Sequence, residues 1–139
     1  MEVVVTLPFP SDVWVKALIE DLNASQAYLD AAKNWEGDFF FIIEPAGSMA
    51  QPVTLYMDLH HGKCLEAFEV NGQVKDPVFR LKGPVANWKK VMTKKLDPIQ
   101  ALMTGQLKLS GNMAMVMRNV RAAKELVESC THIPTEFPV

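Results

Sequence analysis

From Asp38 to Lys82 the apolar residues of this chain come in solid runs or at every second position; from Val85 they recur every third or fourth, and the change falls at Gly83-Pro84. Side chains change face at each residue of a strand and return to one face every 3.6 residues of a helix, so the period reads out the local structure. The run "DFFFIIEP" is continuous, ends at Glu-Pro and predicts a central strand buried on both faces. "VTLYMDLHH" alternates, with Val53, Leu55, Met57 and Leu59 on one side and Thr54, Tyr56, Asp58 and His60 on the other. Gly62 turns the chain into "KCLEAFEV", and "NGQ" turns it again before "PVFRLKG". Three to four strands, mostly antiparallel neighbours, follow from these signals.

Beyond Gly83 the punctuation is helical. Pro84 stands at a first helical turn, and Val85, Trp88, Val91 and Met92 share a face; Asp97 as N-cap and Pro98 then open a second helix that Gly105 stops. "QLKLS" is a short strand. A last helix from Asn112 to near Ser129 carries Met113, Val116, Met117, Val120, Ala123 and Val127, and the tail "IPTEFPV" cannot be helical. Ahead of the strands, Ser11 and Ser25 cap two short helices, the first with Val13, Ala17, Leu18 and Leu22 on its apolar face. The order predicts an α+β layer: a five-stranded, mostly antiparallel mixed sheet with helices packed on one face.

At 139 residues the chain suits a single domain over 1–139, and such a domain buries roughly 68% of the surface its unfolded chain exposes. Net charge is −2, from 14 basic and 16 acidic residues, which argues against nucleic acid or an anionic membrane as a chain-wide partner. Cys64 and Cys130 are far apart in a chain that is 49% apolar and needs no staple, so free thiols and a cytoplasmic location are expected. Three consecutive valines before two prolines are too few for a signal peptide or a membrane span.

The stretch "FRLKGPVANWKKVMTKKLDPIQALMTGQLKLSGNMAMVMR" resembles the sterol carrier protein type 2 domain in the order and spacing of its strand, helix, Asp-Pro turn, second helix, Gly-x-Leu-Lys strand and Gly-led final helix. Weaker similarity runs back through "GDFFFIIEP" and "LYMDLHHGKC", so the resemblance covers about residues 26–128, with 1–25 as an N-terminal helical extension and 131–139 as a C-terminal tail. The resemblance implies a sheet and helices enclosing an apolar tunnel for a fatty acid, a fatty acyl-CoA, a sterol-like molecule or a phospholipid. It implies no catalytic residue, metal or cofactor. Gln106 and Asn112 stand where relatives often have a lysine and an acid, which removes an expected headgroup contact.

On that reading Phe41, Ile43, Leu55, Met57, Phe79 and Leu81 floor the tunnel, and Trp88, Met92, Ile99, Met103, Met113 and Met117 roof it. Methionine is unbranched and polarizable, so a methionine wall can repack around guests of different shape, although the same stripe also serves as ordinary core. A void of about 300 Å³ costing about 24 cal/mol per Å³ would remove roughly 7 kcal/mol, so the empty form is expected to close in part or to retain lipid.

Other readings attach to particular residues. "HHGKC" offers metal ligands, but adjacent strand residues face opposite ways, so His60 and His61 are expected not to share an ion. Cys64 lacks a legible base, which makes a turn-side thiol the better reading than a nucleophile acting on a bound thioester. Lys89, Lys90, Lys94 and Lys95 form a solvated helix face or meet anionic headgroups in a transient membrane contact, with Trp88 at the rim. The turn at Gly111 and Asn112 is a bare strand-to-helix turn or an anion site. Ile133 and Phe137 either close over the cavity or pack on the sheet. A protein-interaction or dimerisation module using the methionine surface is the alternative to a carrier.

Overall fold

The computed structural model describes residues 5–73 and 75–139; the valine run at the start of the chain lies largely outside them. In chain order the elements are β1 (Leu7–Pro8), α1 (Asp12–Asn23), α2 (Gln26–Ala31), β2 (Glu36–Glu44), β3 (Val53–His60), β4 (Lys63–Glu69), β5 (Phe79–Pro84), α3 (Val85–Met92), α4 (Pro98–Met103), β6 (Lys108–Ser110), α5 (Met113–Met117), α6 (Val120–Thr131) and β7 (Thr135–Glu136). The main sheet has the order β4-β3-β2-β5-β6, with β2 and β5 parallel and the other neighbours antiparallel. The five-stranded mixed sheet expected from the sequence is therefore present, with β2 at its centre.

The local causes are the ones the sequence signals. The Ser11 and Ser25 side chains accept from the amides of Trp14 and Tyr28, and Asp97 accepts from those of Ile99 and Gln100 ahead of Pro98. His61 at φ 48° and Gly62 at φ 82° make the two-residue turn between β3 and β4, a backbone that favours glycine.

Four features differ from expectation. In α1 the buried face is Trp14, Val15, Leu18 and Leu22, while Val13 is exposed, because the helix packs at once on the edge of β4 and on α6. The final helix is two helices. They part at Arg118 and Asn119, where the Asn119 side chain donates to the Met115 carbonyl and satisfies an acceptor that a continuing helix would have bonded. The central strand is not buried equally on both sides. Phe39 and Ile43 are buried, but Phe40 and Ile42, on the other face, are only half-buried, with the Arg80 guanidinium over the Phe40 ring and Lys75 over the Tyr56 ring. Finally, the tail forms a strand: β7 pairs in parallel with β1, Phe137 packs on Phe9 at 5.7 Å, and the Trp14 indole donates to Thr135 Oγ at 2.9 Å.

Among the described residues no helix is long and apolar enough to cross a membrane. Both cysteines are free.

Candidate functional site

The register of the sheet decides what faces the helices. Phe41 pairs with Leu55 and Leu81, Phe39 with Met57, and Leu81 with Leu109, so these side chains share one face, while Phe40, Tyr56 and Arg80 share the other. The helices α1, α3, α4 and α6 do not fill the space over that first face. A cavity of about 140 Å³ remains between them, lined on the sheet side by Phe39, Phe41, Ile43, Leu55, Met57 and Leu81 and on the helix side by residues that include Trp14, Trp88, Met92, Ile99, Leu102 and Val116.

The wall contains three indoles, and each N–H is already committed. Trp14 donates to Thr135 Oγ, Trp35 to the Gly37 carbonyl at 3.3 Å and Trp88 to the Gly83 carbonyl at 3.0 Å. The amide side chain of Asn119, also in the wall, donates to Met115. What the cavity offers a guest is therefore apolar surface. Two ionisable groups of the wall behave accordingly: burial pushes the Cys130 thiol up to about 12 and raises the Tyr28 phenol well above its ordinary range.

Of the twelve residues read from the sequence, the cavity wall includes Phe41, Ile43, Leu55, Met57, Leu81, Trp88, Met92 and Ile99. It does not include Phe79, Met103, Met113 or Met117. Phe79 is fully buried on the same sheet face, but its ring stacks on Phe39 at 4.9 Å and packs on Trp35 at 5.2 Å, filling the end of the layer. Gly111, at φ 133°, lets the chain pass over that ring, since a Cβ there would come within 2.5 Å of it. Met103 is 74% exposed and Met113 37% exposed, because α4 and α5 turn Ile99, Leu102 and Val116 inward instead. Met117 is half-buried beside the break before α6.

Sequence reasoning missed the contribution of the N-terminal segment. Phe9, Trp14, Val15, Leu18, Tyr28 and Trp35 all line the cavity. Helical spacing is visible there, but spacing shows only that a face is buried, not whether it faces other side chains or open space. Trp88 is not at a rim; it is buried with its ring edge against Phe41 at 5.9 Å. Two of the four neighbouring lysines have partners: Lys94 pairs with Glu128, and Lys89 donates to the Val139 carbonyl over the Phe137 ring.

The model of the SCP-2 sterol transfer family matches residues 5–124 of this sequence. The chain belongs to that family. The match takes in α1, which the resemblance read from the sequence left outside. Among solved structures, a crystal structure of sterol carrier protein 2 is 33% identical with a TM-score of 0.80, over 88% of this chain and 97% of that one. The solution structure of a conserved hypothetical protein from Thermus thermophilus, described as possibly a sterol carrier protein, is 32% identical with a TM-score of 0.80, over 89% of this chain and 88% of that one. Sterol carrier protein 2 of Yarrowia lipolytica, in its apo form, shares the fold at 15% identity and a TM-score of 0.59, over 86% and 89% of the two chains. No curated protein matches the sequence. The SCP-2 sterol transfer fold thus carries, in this chain, an apolar cavity whose wall is drawn from both ends of the sequence.

Proposed function

We propose that the protein is a non-enzymatic lipid carrier of the cytoplasm, holding one acyl chain or sterol-like ligand in the cavity between the sheet and the helices. The observation that carries this is the wall itself: three indole N–H groups and an amide donor are all committed to the protein's own acceptors, so what a guest meets is overwhelmingly apolar surface. Family membership and the relatives named sterol carrier protein support the same class of ligand. Fatty acids, fatty acyl-CoA esters, sterol-like molecules and phospholipids all present such a surface.

Magnitudes favour a wall that yields. Ligand sites begin at about 300 Å³, and this cavity is about 140 Å³. At about 24 cal/mol per Å³ the present void costs roughly 3 kcal/mol, a tolerable share of a domain's stability of about 5–15 kcal/mol. Burying about 14 methylenes at about 0.8 kcal/mol each gains roughly 11 kcal/mol before ordering costs of several kcal/mol, enough to drive the wall outward and still bind. The wall's pliant side is α4 and α5, of six and five residues, too short to be stable without their caps and packing. Met57 and Met92 supply adaptable side chains on the fixed side.

Nothing in this reading requires a catalytic group. Burial pushes the Cys64 thiol up to about 12, and it donates to the Glu66 carbonyl at 3.4 Å, so a thiolate for attack on a thioester is not at hand at neutral pH.

Native mass spectrometry of the purified chain, with organic extraction and lipid analysis, tests the proposal. One lipid mass per chain is expected, together with a change in tryptophan emission when a delipidated sample takes up fatty acid, because Trp14, Trp35 and Trp88 all line the cavity. An empty dimer that takes up no lipid would instead favour an interaction module.

A further inference from the structure

Strict alternation along β3 would point the two histidines of the β3–β4 turn apart, but the turn brings them together. His60 is the last residue of β3 and pairs with Glu36 across the β2–β3 ladder. His61 is the first residue of the turn, and its φ of 48° swings its ring back toward that of His60, the centroids being 4.3 Å apart and nearly perpendicular. His60 Nδ1 lies 3.7 Å from one Glu36 carboxylate oxygen and His61 Nε2 lies 3.9 Å from the other. One donor atom from each of the three residues falls within 4.8 Å of the others.

We propose that Glu36, His60 and His61 form a surface binding site for one divalent transition ion of the zinc class. A tetrahedral ion about 2.0–2.1 Å from each ligand needs donors about 3.3 Å apart, so drawing in donors that now lie within 4.8 Å of one another takes relative movements of up to about 1.5 Å. The donor set, two imidazoles and a carboxylate, suits Zn²⁺ or Cu²⁺ rather than Mg²⁺ or Ca²⁺. A fourth position is left to water.

The second nitrogen of His61 makes the case stronger than proximity alone. Its Nδ1 lies 2.7 Å from the Lys33 carbonyl, which can only accept, so Nδ1 carries a proton and Nε2, on the Glu36 side, is the nitrogen left to bind an ion. Histidines that ligate metals are usually held in this way, with the distal N–H donating to a carbonyl or carboxylate that fixes tautomer and ring plane. The turn backbone is fixed as well, since the His61 amide donates to the Trp35 carbonyl at 2.7 Å. The nearby Lys63 is drawn off to the Asn23 carbonyl at 3.2 Å and leaves the carboxylate free for a cation. An ion here would tie the start of β2 to the β3–β4 turn.

Calorimetric titration of the untagged, chelator-treated full chain with Zn²⁺ is the test, with visible absorption of the Co²⁺ form reporting the ligand set. One ion per chain is expected, with a rise in melting temperature on saturation. His60→Ala and His61→Ala should each weaken binding by more than the ~10–100-fold typical of losing an outer hydrogen-bond partner, and Glu36→Gln should weaken it by at least about tenfold. Without metal, Glu36→Gln and His60→Ala, whose side chains are 69% and 43% exposed, should melt near the wild type, whereas His61→Ala also loses its bond to the Lys33 carbonyl and should melt somewhat lower. Absence of a saturable 1:1 event, or a wild-type event that survives in the variants, overturns the proposal.

Discussion

Asn23 and Cys64 exchange two hydrogen bonds: the Asn23 amide donates to the Cys64 carbonyl at 2.9 Å, and the Cys64 backbone N–H donates to Asn23 Oδ1 at 2.7 Å. One side chain at the end of α1 thus takes the place of a neighbouring strand at the open edge of β4. Lys16, which donates to the Ala67 carbonyl, and Asp12, which accepts from the Glu69 amide at 2.9 Å, continue the cover along the same edge. An edge closed in this way does not template pairing with a second chain. It also fixes the helix that brings Trp14, Val15 and Leu18 to the cavity.

Asn23→Ala removes both bonds and leaves a partly buried N–H and C=O unpaired. Each such loss costs about 1–3 kcal/mol, so a drop of about 2 kcal/mol or more in unfolding free energy is expected. Urea denaturation checks it. Gln26→Ala, which loses only an exposed bond to Asp30 on the neighbouring turn of α2, should shift the midpoint little.

The methionines separate by position. Met92 is buried in the cavity wall, whereas Met103 and Met113 face solvent. Met92→Gln places an amide among hydrocarbon without a partner and is expected to lower both stability and lipid affinity, each by about 1–3 kcal/mol. Met103→Gln and Met113→Gln should leave equilibrium affinity unchanged. Fatty-acid titration followed by tryptophan emission measures all three.

These positions also show which parts of the structure are legible in the sequence. The strands of the main sheet, the caps at Ser11, Ser25 and Asp97, and Phe41, Ile43, Leu55, Met57 and Leu81 of the wall have local causes: a period, a side-chain oxygen near an orphan amide, a proline at a first turn. The pairing of Leu7–Pro8 with Thr135–Glu136 joins segments more than a hundred residues apart, and nothing near either one announces it. The turn at His61 escapes the alternation rule because that rule holds inside a strand and fails at the first residue of a left-handed turn. For Met103 and Met113 the helical period permits two faces, and only the packing of α4 and α5 against the sheet chooses between them.

Alkaline stability should carry the signature of the thiols. Burial pushes Cys64 and Cys130 up to about 12, above an ordinary value near 8.5, so each favours the protonated state when folded. Below about pH 8.5 both folded and unfolded chains keep these protons, and stability is unaffected. Above it the unfolded chain releases them first, so stability falls as pH rises toward the folded value, by up to about 1.4 kcal/mol per pH unit for each buried thiol. Urea midpoints taken from about pH 8 to 11 should decline, and Cys64→Ala should flatten the slope. An unchanged slope in that variant would remove Cys64 from the account.

A last substitution distinguishes a cavity from a tightly packed core by the sign of its effect. Ala122 is buried on α6 and lines the cavity. In a filled interior Ala122→Leu would overpack its neighbours and cost about 1–3 kcal/mol. Facing about 140 Å³ of open space, the three added carbons instead find room and bury about 0.8 kcal/mol per methylene, so the lipid-free protein should gain about 1–2 kcal/mol. The same side chain then occupies volume that a guest needs, and fatty-acid affinity should fall as stability rises. Thermal melting of delipidated samples and titration with fatty acid read the two effects separately; a variant that is destabilised yet binds as well as wild type would show that the space beside Ala122 is neither free nor used.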